Sequence, residues 1–134
     1  RQFFPKEICV ALIYTGGVIV FLLPNAALWK PSVALALLCL INCLMIGAKE
    51  HEIDAALQVR SMARFPTRLT LILKLICGGT LCFLTPEWAL PIGLSLAALC
   101  ILHIYNSRLS TEVYRVLADN ALLVGPIIAW CILA

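Results

Sequence analysis

The sequence predicts an all-α fold, a polytopic transmembrane helix bundle with five membrane-spanning helices in a single domain over residues 1–134. Three observations predict it. The chain is 63% hydrophobic and only 13% charged, with a mean hydropathy of +1.02, whereas about a quarter of the residues in a soluble domain are charged. Its apolar residues gather into five runs, each close to the ~20 helical residues that cross a hydrocarbon core of ~30 Å. Most of the segments between the runs are short, so consecutive helices are expected to be antiparallel neighbours.

The first helix is expected over 5–23, with Pro5 in its first turn and Pro24-Asn25 closing it. The second, over 31–54, starts at Pro31, is apolar to Gly47 and continues out of the bilayer through an acidic stretch. The third, over 67–84, is bounded by Pro66 and by Thr85-Pro86, and the fourth, over 88–105, carries Pro91 in its first turn. The fifth, over 111–133, follows Ser110 as N-cap with Glu112 in the first turn, and Gly125-Pro126 predicts a kink. Gly16-Gly17 and Gly78-Gly79 read as places where helices approach closely. The seven cysteines all lie in apolar runs without a CxxC pair, which points to packing rather than disulfides or zinc. His51 and His103 have no matching partner that would make them haem ligands. The first run is as long as a membrane helix and lacks a small-residue cleavage site, so it is not read as a cleaved signal. The chain opens on Arg1 rather than Met, so a preceding segment is expected.

The placement of bases orients the bundle. Arg1, Lys6, Lys49, Arg60, Arg64, Arg68, Arg108 and Arg115 fall on one side, Lys30 falls on the other and Lys74 lies within the third helix. By the positive-inside rule the N-terminus and the 49–68 loop are cytoplasmic and the C-terminus is on the opposite side. Trp29, Trp88 and Trp130 lie toward that opposite interface, as an aromatic belt would. The expected location is a bacterial inner membrane, with membrane lipids as neighbours and no nucleic-acid partner.

Charge concentrates in one stretch, 49–61, KEHEIDAALQVRS. At helical spacing Asn42, Ile46, Glu50 and Asp54 form one stripe. Carboxylates so placed suit Mg²⁺, which takes one or two of them, keeps several waters and otherwise binds phosphates. Arg60 and Arg64 are one turn apart and could hold phosphate oxygens. The plainer reading, a charged loop that orients the protein, fits the local pattern equally and is commoner. A second polar group, Arg115 and Asp119, is one turn apart on the fifth helix. It reads as a structural pair that keeps a carboxylate tolerable in hydrocarbon, or as the polar mouth of a cavity. Lys74 is placed to snorkel to the interface or to neutralise Asp119 or a bound anion.

From Phe4 onward the sequence resembles the C-terminal half of the UbiA superfamily of intramembrane prenyltransferases. That family has nine membrane helices and two aspartate-rich cytoplasmic motifs, the second between its sixth and seventh helices. Glu50-His51-Glu52-Ile53-Asp54 matches the acid-xxx-Asp pattern of the second motif, and Arg60-Ser61 stands where a basic residue and Ser or Thr follow. The five helices would correspond to the family's fifth to ninth. The chain departs from the pattern where Glu50 replaces the usual Asp, where Ala55-Ala56 replaces basic or polar residues, and where a frequent glycine is absent. The phrase from Arg115 to Leu123 is similar to the last helix of members outside the best-known biosynthetic branches.

The resemblance implies Mg²⁺-dependent transfer of an isoprenyl group from an allylic diphosphate to an aromatic or other lipid-soluble acceptor. It implies Glu50 and Asp54 as catalytic residues, Glu50, Glu52 and Asp54 as metal ligands, and Asn42, Lys49, Arg60 and Arg64 as substrate-binding. A diphosphate leaving group develops charge on several oxygens, so metals and cations must meet it from two sides. The chain carries only one of the two motifs, so the reading expects a missing N-terminal half or a partner chain. The alternative is a small non-catalytic membrane subunit that packs against a larger complex.

Overall fold

Prolines and short polar steps set where each helix begins and ends. The computed structural model describes residues 6–22, 28–50 and 67–133. These form α1 (Lys6–Leu22), α2 (Trp29–Lys49), α3 (Thr67–Leu81), α4 (Pro86–Ile104), a 3₁₀ turn (Asn106–Arg108) and α5 (Thr111–Leu133). Among the described residues there is no strand.

Several boundaries differ from the sequence reading for local reasons. α2 begins at Trp29, two residues before Pro31, because a proline in the first turn gives up an N–H that has no helical partner there. α2 ends at Lys49 with Glu50 as its C-cap, whose N–H still reaches the Ile46 carbonyl at 3.1 Å. The continuation expected through 54 lies beyond Glu50, outside the described residues. α3 stops at Leu81, and the bonds from Cys82 N to Gly79 O, Phe83 N to Thr80 O and Leu84 N to Leu81 O tighten the chain ahead of Thr85-Pro86. α4 then starts on Pro86 itself, with extended Thr85 ahead of it accepting from the Trp88 and Ala89 amides at 3.0 and 2.9 Å. At α5, Ser110 Oγ faces the Val113 amide at a long 3.5 Å, while the Ser110 carbonyl accepts from Tyr114 at 2.9 Å.

α2 is the central helix. It packs against each of the other four, and half of its apolar window is buried, against 28% for α4 and 18% for α5. One face, with Ala34, Leu38, Ile41 and Met45, meets Cys77 of α3, Ile92, Leu96 and Leu99 of α4, and Tyr114 and Ala118 of α5. Burial at this core contributes about 1.5–3 kcal/mol for each large side chain withdrawn from water, and less where the alternative surrounding is lipid.

Three described helices, Trp29–Lys49, Pro86–Ile104 and Thr111–Ile132, are long and apolar enough to cross a membrane, and the apolar part of α1, Glu7–Gly17, is shorter. The described part of the protein is therefore all-helical, with helices suited to a bilayer. Leu71, Ile72, Leu75 and Ile76 of α3, and Ile127, Trp130 and Ile132 of α5, present broad apolar surface outward. That is the surface expected toward lipid.

α4 and α5 approach closely at a glycine that the sequence reading assigned to a kink. A Cβ on Gly125 would fall on the Pro91 carbonyl oxygen and on Ser95 Oγ. By contrast, nothing described lies within 4 Å of a Cβ placed on Gly16, Gly17 or Gly79, and Gly78 would meet Leu96 Cδ2 at 4.0 Å, an ordinary contact. Among the described residues a close helix contact is made at Gly125 and not at those two glycine pairs. Pro126 has no N–H, so it leaves the Leu122 carbonyl without its helical donor. Ser95 Oγ donates to that carbonyl at 3.2 Å and accepts from the Gly125 amide at 3.2 Å. A buried hydroxyl on α4 thus repairs the break in α5, and the missing Cβ lets it come near enough.

Candidate functional site

The face of α2 beside its core seam carries Cys39, Asn42, Cys43, Ile46 and Glu50, one helical stripe. It lines an open-sided chamber of about 310 Å³ together with Glu7, Val10 and Tyr14 of α1 and Arg115, Asp119 and Leu122 of α5. The start of α1, the end of α2 and the start of α5 meet at one end of the bundle, which gives the chamber its charge. Asn42 is 3% exposed. Its Nδ2 donates to Asp119 Oδ1 at 3.1 Å, and its own Oδ1 is buried with no hydrogen-bond partner among the described residues.

Arg115 and Asp119, expected to pair with each other, both reach across to α2. Arg115 Nη1 stands 3.4 Å from Glu50 Oε1, and Asp119 takes the Asn42 amide. One turn of α5 separates them, but α2 offers each a better partner, a carboxylate for the guanidinium and a donor for the carboxylate. The Arg115 side chain is 63% exposed and the contact is long, so the ion pair contributes little by itself.

Of the other expected site residues, Lys49 points elsewhere. Its ammonium donates to the carbonyls of Asn106 and Leu109 at 2.7 and 3.2 Å and lies 5.4 Å from the centre of the Tyr114 ring. It ties the end of α2 to the α4–α5 connection and does not line the chamber. Glu52, Asp54, Arg60 and Arg64 lie outside the described residues, as does His51. Glu50 is the one member of the expected metal-ligand set in view. Among the described residues no three of His, Cys, Asp and Glu come together to hold a metal ion.

The sequence reading missed Glu7 and Tyr14. Glu7 is 1% exposed on the chamber wall. An acid in a first helical turn reads as a favourable helix-terminus charge, and only the lone carboxylate opening an apolar run could have drawn attention to it.

A second chamber, of about 370 Å³, adjoins the first and shares Tyr14, Cys39 and Leu122 with it. Its walls are almost wholly apolar, formed by residues such as Leu35, Leu38, Trp88, Ile92, Leu123 and Pro126. Its two serines already donate to main-chain carbonyls, Ser32 to Leu28 at 2.7 Å and Ser95 to Leu122 at 3.2 Å. The pair of chambers has a polar end and an apolar end, the shape of an amphiphile site. Comparison with protein-family models, with curated proteins and with solved structures finds no match to this chain.

Proposed function

We propose that the chain is the C-terminal five-helix part of a UbiA-like intramembrane prenyltransferase, transferring an isoprenyl group from an allylic diphosphate to a lipid-soluble acceptor. The observation that carries this reading is the course of the Asn42-Ile46-Glu50 stripe, which faces a chamber between helices. An intramembrane transferase needs acidic residues at the mouth of such a chamber. The alternative, a subunit that only packs against partner chains, gives the chamber no role.

In this reading Glu50, with Glu52 and Asp54 beyond it, serves the diphosphate end with Mg²⁺ as the implied cofactor, and Arg60 and Arg64 neutralise phosphate oxygens. Arg115 holds the Glu50 carboxylate at the chamber mouth. Lys49 positions the α4–α5 connection and takes no part in phosphate binding. All five helices span a bacterial inner membrane, with the basic end cytoplasmic. The missing first acidic motif comes from an upstream segment or a partner chain.

The test uses the full-length protein in its native membrane, a radiolabelled allylic diphosphate and Mg²⁺. Label is expected to pass from the aqueous to the lipid fraction, to stay aqueous in EDTA, and to transfer about 100-fold more slowly in Glu50→Gln. Folded protein that moves no label into any membrane-lipid extract would overturn the reading.

A further inference from the structure

Between α4 and α5, one turn from the Gly125 contact toward the connection that joins them, Ala98 and Ala121 are too small to fill the space between the helices. They lie in an open furrow of about 490 Å³ that continues past Leu117 and ends at Tyr105 and Arg108. From Ala98 to Tyr105 the furrow follows about 10 Å of α4, at ~1.5 Å per residue. Asn120, an amide on its wall, turns its Nδ2 back to the Val116 carbonyl of its own helix at 2.9 Å. The furrow is therefore largely apolar below one charged end. No described residue that lines it lines either of the other two chambers.

The charged end decides what fits. The Arg108 side chain is exposed and makes no ion pair or hydrogen bond with the described residues. None of the described residues lining the furrow is acidic, and Glu112, the nearest acid in sequence, stands outside that lining. The polar chamber, with Glu7, Glu50 and Asp119, has the opposite character. The Lys49 ammonium, bound to the Asn106 and Leu109 carbonyls on either side of Arg108, adds a second positive charge to the same connection. A guanidinium can take two phosphate oxygens at once, and basic pockets between membrane helices suit anionic headgroups. We infer that the furrow holds an anionic phospholipid, its phosphate on Arg108 and one acyl chain lying over Ala98 and Ala121. A zwitterionic lipid offers the same chain and phosphate, but its ammonium offsets the attraction. The site stands apart from the transferase reading, because it shares no lining residue with the chamber on which that reading rests.

The test places the full-length protein in bilayer nanodiscs, with Trp29, Trp88 and Trp130 replaced by Phe and Tyr105→Trp as a reporter at the charged end of the furrow. Phosphatidylglycerol and phosphatidylcholine with identical dibrominated chains are titrated in turn as quenchers. Phosphatidylglycerol is expected to associate about fivefold more strongly at the introduced indole. Arg108→Gln, a change at an exposed position, is expected to bring that ratio below about twofold. Ala98→Leu, which fills the furrow and keeps both cations, is expected to do the same. A ratio below about twofold in the parent protein overturns the assignment. So does a higher ratio in either variant, and its persistence in Ala98→Leu would mean that charge draws the lipid without the furrow. Loss of the parent's preference in millimolar inorganic phosphate at constant ionic strength also overturns it, because a site for free phosphate needs no acyl chain.

Discussion

Lys49 illustrates how a charged residue beside an acidic motif can be read for chemistry and yet serve the fold. Its two carbonyl contacts and its place over Tyr114 give Lys49→Met an expected loss of about 1–3 kcal/mol, since charge-assisted bonds to main chain are among the stronger ones. Denaturant unfolding in micelles measures that loss, and under the proposed transferase reading the KM for an allylic diphosphate is expected to stay within about twofold of wild type. A KM rise above about tenfold with unchanged stability would return Lys49 to the phosphates. The Asn42–Asp119 bond crosses between helices, and a double-mutant cycle with Asn42→Leu and Asp119→Leu is expected to show a coupling of about 0.5–2 kcal/mol. Asn42 and Glu50 were legible in the sequence because a spacing of eight residues puts them on one face whatever surrounds the helix. The partners of Arg115 were not legible, because a spacing of four allows an internal pair and only the packing of α5 on α2 decides between that and a cross-helix one.

At the level of elements, the α4–α5 crossing concentrates two sequence irregularities at one point. Pro126 breaks the hydrogen-bond ladder of α5, and Ser95 completes it from α4 through the space that Gly125 leaves. Gly125→Ala is expected to destabilise by about 3 kcal/mol, because the new methyl meets backbone that cannot step aside. Ser95→Ala, which leaves the Leu122 carbonyl without its donor, is expected to cost about 1–2 kcal/mol. Gly79→Ala meets open space and is expected to be neutral or slightly stabilising, since alanine restricts the unfolded chain more than glycine does. Thermal unfolding of the three variants in one detergent checks the order, and a Gly125→Ala protein as stable as Gly79→Ala would refute the crossing. The sequence marks Gly125-Pro126 as a local disturbance, but glycine spacing within one helix does not reveal which glycine meets a neighbour. Helix ends were legible wherever proline fixed them, to within two or three residues. The misplaced starts of α2 and α4 came from prolines tolerated inside first turns, and the misplaced end of α3 from the tightened turn ahead of Thr85-Pro86.

On the scale of the whole molecule, apolar run length and charge placement made the all-helical membrane character legible, while the number of crossings is harder to read from length alone. α2, α4 and α5 each have the length to span. α3 has 15 residues, about 22 Å at 1.5 Å per residue, with Arg68 near its start and Lys74 within it. The tightened turn through Leu84 adds reach, and a lysine stem can lie along hydrocarbon while its ammonium seeks the interface. The five-span reading therefore rests on α1 and α3, neither of which is among the three helices of spanning length, and for α3 accessibility to a membrane-impermeant maleimide decides it. In a background whose other cysteines are replaced, Cys82 at the α3–α4 turn is expected to react in intact cells, whereas Ser61→Cys and Ser107→Cys react only after permeabilisation. Ser107 must lie across the membrane from Cys82 because α4 alone has the length to separate them. Ser61 shares the face of Ser107 only if α3 also crosses. Reaction of Ser61→Cys and Cys82 from the same side would remove α3 as a span, split the bases Arg60, Arg64 and Arg68 from Arg108 and Arg115, and separate the acidic loop from the chamber it is proposed to serve.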